Sequence, residues 1–314
     1  MVRRVLLASP RGYCAGVERA VETVERALEV YGRPVYVRKQ IVHNAHVVQE
    51  LEERGAVFVE DERDVPEGAT VVLSAHGVAP EVHRRAAARG LLAIDATCPL
   101  VTKVHAQARR YAAAGYRIVL IGHAGHEEVI GTMGEAPEAI TLVQSAAEAE
   151  AVELPDGPVA YVTQTTLSVD ETAEIVDVLK RRFPSIRAPQ REDICYATSN
   201  RQWAVKRMLP EVDVLLVIGS VNSSNSNRLV DVARSSGVEA HLIDDESEID
   251  ESWLDDADTV GLTSGASVPE RLVRRVCDWF RAHGVTEIKA HAHVYEDVVF
   301  RLPVELRRAE TPAA

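Results

Sequence analysis

Three cysteines, each heading a stretch of helical character, constrain this chain more than any other feature. The stretches are CAGVERAVETVERALEVYG from Cys14, CPLVTKVHAQARRYAAAGY from Cys98 and CYATSNRQWAVKRMLPEVD from Cys195. Two of them run into a glycine, Gly32 and Gly115, as a helix C-terminus requires, and the third meets Pro210. A polar position then recurs. His43, His126 and Ser223 follow their cysteines by 29, 28 and 28 residues (43 − 14, 126 − 98, 223 − 195). A further set, His76, Thr165 and Ser267, follows at 62, 67 and 72 (76 − 14, 165 − 98, 267 − 195). Three-way agreement at these positions marks an internal repeat, although overall identity among the copies is low.

Short β-branched runs alternate with the helical stretches, the pattern of α/β units with parallel strands. Strand candidates are Val5–Ala8, Val35–Arg38, Val71–Ser74, Ile118–Gly122, Val159–Thr163, Val214–Gly219 and Thr259–Thr263. The fold class expected is α/β: three similar units with small parallel sheets in a pseudo-three-fold arrangement. Their boundaries fall at 1–97 (Cys14), 98–194 (Cys98) and 195–290 (Cys195), followed by a tail, 291–314. Ligand groups in such units gather where strands end and helices begin. Three such ends would surround one cavity, over which the strand-like VVFRLP at 298–303 is expected to close.

Composition removes several function classes. No apolar run approaches the ~18–20 residues that span a bilayer, and the run at Val5–Ala8 is too short for a signal-peptide core. The chain is therefore expected to be cytoplasmic, with no membrane partner. Four cysteines in that compartment argue for metal binding, redox chemistry or burial over a disulfide framework. The net charge of −13, without Lys/Arg runs interleaved with aromatics, argues against nucleic acid.

A cysteine at a helix N-terminus has its thiolate favoured by the dipole and the free amides there. Cys277, within RLVRRVCDWFRAHG, instead shares an apolar stripe with Val273, Val276 and Phe280 and reads as core. For the repeated three, two readings stand. A structural zinc site usually uses close Cys pairs, and none occurs. An iron–sulfur cluster can collect distant ligands, and three thiolates would leave one iron open as a Lewis acid. Spacing alone does not choose between them.

The recurrent polar positions lie in SAHGV, IVHNAH, GHAGHEEVIGTMGE, TQTTLSVDET, GSVNSSNSNRL and TSGASVPE, several of which couple a strand end to Gly or Ser and then a helix. That context suits a phosphate-like anion, with imidazoles and hydroxyls as added donors. There is no Walker A loop or G-x-G-x-x-G fingerprint, so nucleotide binding is unsupported. Glu128, two residues after His126, is a carboxyl that burial beside an anion would turn into a proton donor.

The motifs PRGYCAGVERAV, DATCPLVTKVH, TQTTLSVDET, DICYATSNRQ and NSSNSNRL give the chain, from about Leu6 to Leu306, a resemblance to the 4-hydroxy-3-methylbut-2-enyl diphosphate reductase (IspH/LytB) family. The resemblance implies a [4Fe–4S] cluster at the centre of the three units, held by Cys14, Cys98 and Cys195 with one iron not ligated by cysteine. It implies a diphosphate bound by His43, His76, His126, Ser223, Ser224, Asn225 and Ser267. Thr165 would touch substrate near the cluster, and Glu128, with Thr165 and His126, would serve catalysis. The implied reaction is reductive dehydroxylation to isopentenyl and dimethylallyl diphosphate, the last step of the non-mevalonate isoprenoid pathway, with electrons from ferredoxin or flavodoxin. Arg3, Arg4, Arg11 and Arg201 lie near ligand segments in sequence and are candidates for docking the electron donor. The chain departs from the family's common HPEVEGT at two places, Glu127 for the proline and Ile130 for an acidic residue. Loss of a helix-start proline implies a looser loop around Glu128. Two other readings compete: a hydro-lyase using an open-iron cluster without net redox, and a cluster-bearing sensor of oxygen or iron.

Overall fold

A computed structural model describes residues 2–309. In chain order its strands are β1 (Arg4–Ser9), β2 (Val35–Arg38), β3 (Ala56–Val59), β4 (Thr70–Leu73), β5 (Leu92–Asp95) and β6 (Arg117–Ile121). There follow β7 (Ile140–Val143), β8 (Val159–Thr163), β9 (Val214–Ile218), β10 (Glu239–Ile243), β11 (Thr259–Ser264) and β12 (Glu287–Ala292). The helices are α1 (Ala15–Tyr31), α2 (Ala45–Glu53), α3 (Pro80–Ala88), α4 (Pro99–Ala113), α5 (Glu127–Met133) and α6 (Ala146–Ala151). They continue as α7 (Val169–Arg182), α8 (Tyr196–Met208), α9 (Ser224–Ser235), α10 (Glu270–Ala282) and α11 (Val304–Ala309). Among the described residues the strands form three sheets, and every ladder is parallel. The α/β class with three small parallel sheets is as expected from the repeat.

The chain divides into two compact units. One holds the residues up to Ala15, His43–Val47 and Tyr196–Val299. Its five-stranded sheet runs β10-β9-β11-β1-β12. Alternation along β9 sends Val214, Leu216 and Ile218 to a core with Leu272, Val276 and Phe280 of α10. Leu215 and Val217 point into a second core with Ala204, Val205 and Met208 of α8 and Leu229 of α9. Both faces are thus covered, as a parallel sheet requires, and each fully buried Leu or Phe contributes about 1.5–3 kcal/mol.

The other unit holds Gly16–Val42, Val48–Cys195 and the residues from Phe300 on. It contains a four-stranded sheet, β3-β2-β4-β5, and a three-stranded one, β7-β6-β8. β6 alternates in the same way: Val119 and Ile121 pack with Ile175 and Leu179 of α7, while Ile118 and Leu120 pack with Val104 and Ala108 of α4.

One strand order recurs in all three sheets, and it redraws the expected boundaries. Within each, a central strand is flanked by the next strand in sequence on one side and the one after that on the other. The outer position beyond is taken by the segment that leads to a cysteine. β5, which precedes Cys98, pairs with β4; Arg187, ahead of Cys195, bridges Ala160 of β8; β1, ahead of Cys14, pairs with β11. The strand of the 1–97 segment therefore completes the sheet of the 195–290 segment, and β12 extends that sheet across the expected 290/291 boundary. The physical cause lies in Val5, Leu6 and Ala8, buried on both faces of β1, which need an interior position. The strand expected at 298–303 does not form; those residues carry no ladder and lead into α11.

Candidate active site

Each repeated cysteine stands directly before its helix, α1, α4 or α8, and Cys98 is the N-cap of α4. The helices end as their sequences require, with Gly32 and Gly115 at φ +77° and +78° and Pro210 in a 3₁₀ turn that follows α8. The three thiols are partly exposed, whereas Cys277 is buried and its thiol pKa is raised by that burial. Every repeated cysteine also has its amide fixed. The Cys98 N–H donates to Ala75 O at 3.0 Å, Cys195 to Thr165 O at 3.0 Å and Cys14 to Ala266 O at 3.2 Å. These acceptors lie at, or one residue before, His76, Thr165 and Ser267, so each recurrent polar position is tied through the backbone to the cysteine that closes its own sheet.

Part-exposed thiols at helix starts with anchored amides are suitable donors for an iron–sulfur centre. Among the described residues no three His, Cys, Asp or Glu side chains are grouped to hold a single metal ion.

In the larger unit, α5 carries Glu128 in its first turn. Glu128 is 2% exposed and accepts two hydrogen bonds from Thr165, from the amide at 2.7 Å and the hydroxyl at 3.0 Å. Burial raises its pKa to about 7; the Thr165 bonds oppose the rise, and the charge of Asp193 adds to it. His126 caps α5, its Nδ1 accepting from the Glu128 amide at 3.2 Å. That bond ties the imidazole to the first turn of α5 and fixes its ring beside Glu128. The ring of His76 stands edge-on to His126, centroids 5.8 Å apart. Glu127 takes the first helical position of α5 and pairs with Lys39 at 3.5 Å, so a favourable charge replaces the family's proline there.

In the smaller unit, Ser223 caps α9 by accepting from the Ser226 amide at 3.3 Å. Ser224 and Asn225 follow in the first turn, where free amides favour an anion. The Asn225 side-chain Oδ1 accepts from Ala266 N–H at 2.9 Å, and the Ser267 hydroxyl donates to His43 O at 2.9 Å. His43 is pushed down to about 4 by burial, so its ring is neutral at neutral pH. This start of α9 is possible because Ser226 fits against Gly219 and Gly265, at the ends of β9 and β11. A Cβ on either would lie 2.1 or 2.0 Å from the Ser226 Oγ.

The sequence-derived residues thus fall into two groups. His76, His126, Glu128 and Thr165 lie in the larger unit with Cys98 and Cys195. His43, Ser223, Ser224, Asn225 and Ser267 lie in the smaller unit with Cys14. Three neighbours escaped the sequence reading. Asp193 is buried and bonded to Thr163 N–H at 3.1 Å. Gln164 accepts from His123 N–H at 3.1 Å, and Thr198 bonds Asn225 at 3.3 Å. All three lie inside the quoted motifs, and that was their only signal. One expectation is overturned: Arg201 is fully buried and cannot form a docking face. Arg3 and Arg11 are bound to Asp258 and Glu270, and Arg4 to Thr259.

Fold and site define a class: an α/β protein of three parallel sheets whose repeated loops present thiols, imidazoles, hydroxyls and the buried carboxyl of Glu128. The chain belongs to the LytB family, whose model, described as LytB protein, matches residues 5–287. It is 63% identical to the 4-hydroxy-3-methylbut-2-enyl diphosphate reductase of Acidothermus cellulolyticus over 308 residues, covering 98% of this chain and 91% of the relative. It is 59% identical to the enzyme of the same name from Nocardia farcinica over 307 residues, covering 97% and 91%. A solved structure of E-1-hydroxy-2-methyl-but-2-enyl-4-diphosphate reductase from Plasmodium falciparum superposes with a TM-score of 0.95 at 38% identity, covering 98% of each chain. A second, of an (E)-4-hydroxy-3-methyl-but-2-enyl diphosphate reductase described as the terminal enzyme of the non-mevalonate pathway, has a TM-score of 0.62 at 33% identity, covering 90% of this chain and 100% of the other.

Proposed function

We propose that this chain is a reductase acting on 4-hydroxy-3-methylbut-2-enyl diphosphate and yielding isopentenyl and dimethylallyl diphosphate, the last step of the non-mevalonate pathway. The observation that carries the reading is the buried Glu128–Thr165 pair, an acid poised near pH 7 in a chain of this family. Cys14, Cys98 and Cys195 would hold a [4Fe–4S] cluster. When bound, that cluster supplies electrons one at a time and an iron without a cysteine ligand, open to the allylic oxygen. The rest falls to the chain's own groups.

His43, His76 and His126 with Ser223, Ser224, Asn225 and Ser267 would hold the diphosphate and fix the allylic end. Glu128, with its pKa raised to about 7, keeps its proton below neutral pH and in part at it, and can give that proton, through the Thr165 hydroxyl it already bonds, to the departing oxygen. Two electrons and two protons replace C–OH by C–H and release water; the second proton reaches one or other end of the allylic carbons, giving the two products. Ferredoxin or flavodoxin would deliver the electrons. No helix among the described residues is long and apolar enough to cross a membrane, and the reaction is assigned to the cytoplasm.

Anaerobically purified protein should be brown, with about four irons per chain and broad absorbance near 400 nm. It should turn over the diphosphate only when dithionite or reduced ferredoxin is present. Turnover without reductant would establish the hydro-lyase instead, and colourless protein carrying one zinc would remove the cluster.

A further inference from the structure

Each cysteine motif carries a cation a turn and a half into its helix: Arg19 in CAGVER, Lys103 in CPLVTK and Arg201 in CYATSNR. The offsets are 5, 5 and 6 residues (19 − 14, 103 − 98, 201 − 195). All three reach the same kind of target. Arg19 donates to the carbonyls of Ala96 at 2.9 Å, Thr97 at 3.1 Å and Asp95 at 3.3 Å, the three residues before Cys98. Lys103 donates to the carbonyls of Arg191 at 2.9 Å and Glu192 at 2.6 Å and pairs with Asp193 at 3.0 Å, on the approach to Cys195. Arg201 donates to Gly12 O at 2.8 Å, two residues before Cys14.

We infer that Arg19, Lys103 and Arg201 are positioning residues, each borne on the helix after one cysteine and clamping the backbone ahead of the next, in cyclic order. The inference rests on the reading above that these cysteines hold a cluster. Packing does not explain the cations. Arg19 is 9% exposed and Arg201 0%, and an apolar side chain would fill such space at lower desolvation cost. A guanidinium or ammonium does what an apolar group cannot: it gathers several carbonyls at one point and fixes an irregular segment. Arg201 is itself steadied by Glu296, at 3.2 Å, and by Ala197 O at 2.9 Å. A thiol whose preceding backbone is pinned on one side, and whose amide is pinned on the other, is held in ligand geometry before iron arrives. The cyclic order also makes each cysteine's approach depend on the helix that another cysteine begins.

Lys103 provides the test, since its side chain is 30% exposed and its replacement leaves no buried cavity. In cluster-free Lys103→Gln, hydrogen exchange at residues 191–195 should quicken about tenfold, the equivalent of one charge-assisted hydrogen bond, while β6 exchanges as before. Holoprotein of the same variant should lose its absorbance near 400 nm in air about tenfold faster. Lys103→Arg should restore both. Arg19→Gln should act in the same way on residues 95–98 and leave 191–195 unchanged. Wild-type exchange at 191–195 in Lys103→Gln, or a uniform rise that includes β6, would overturn the clamp. A colourless chain whose 191–195 amides still depend on Lys103 would refute the cluster and support the clamp.

Discussion

Replacing Glu128 by Gln keeps the shape of the side chain and removes its ionisation. The amide oxygen can accept from the Thr165 N–H as the carboxylate does, and the Thr165 hydroxyl can rotate to accept from the new amide nitrogen. In the wild type, burial holds the carboxyl pKa at about 7 instead of 4.5. Below the lower value the group is protonated in both folded and unfolded chains, so pH has no effect through it. Between the two values the unfolded chain is ionised and the folded chain is not, and raising the pH favours unfolding. Above about 7 both are ionised, and the wild type has lost about 3 kcal/mol relative to the variant. For a chain of this size that is about 5 °C in Tm. Thermal unfolding of cluster-free wild type and Glu128→Gln, in steps from pH 4 to 8.5, measures the difference. The variant should gain on the wild type between the two pKa values and hold a constant lead above them, while its turnover falls at least a hundredfold, the scale of a lost general acid. Parallel stability curves across the whole range would refute burial as the source of the raised pKa.

Thr165→Val removes the hydroxyl donor that favours the ionised form of Glu128, so the alkaline limb of the pH–rate profile should move up by roughly one pH unit. A limb that stays or moves down would show that Thr165 does not act on Glu128. Gly265→Ala drives a methyl group into the Ser226 Oγ and should cost about 2–4 kcal/mol, read by thermal or urea unfolding. Adding Ser226→Ala should recover part of that loss, since the next nearest atom, the Ser226 Cβ, lies at 3.2 Å.

The strands that sequence patterning finds and those it misses divide by position in the sheet. β1, β2, β4, β6, β9 and β11 are interior strands whose apolar residues are covered on both faces, and all are legible as β-branched runs. β8 is legible too, its outer side covered at Ala160 by the Arg187 bridge. β3, β5, β7, β10 and β12 are edge strands, short and only partly buried, and β5, β10 and β12 also carry charged residues or histidine. Nothing in a run such as EIKAHA distinguishes it from a loop. The thiols, histidines and Glu128 are legible because chemistry demands those residue types. Asp193 is not, because its role comes from where the backbone folds back: an aspartate's field on a distant glutamate has no local pattern, and the recurring position of Arg201 after its cysteine does not reveal which remote carbonyl it grips.

The place of β1 sets a timetable for the chain's synthesis. Arg4 of β1 bonds Thr259 of β11, 255 residues away. At about 5–20 residues per second, roughly ten to fifty seconds separate the ribosomal exit of one from that of the other. During that interval the loop before Cys14 lacks its sheet neighbour, and for most of it also the Gly12 contact of Arg201, while β4 and β5 can already have secured Cys98. The first cysteine made is therefore the last to be framed. A nascent chain interrupted before β11 would expose its earliest thiol in an unstructured segment, open to oxidation and to stray metal.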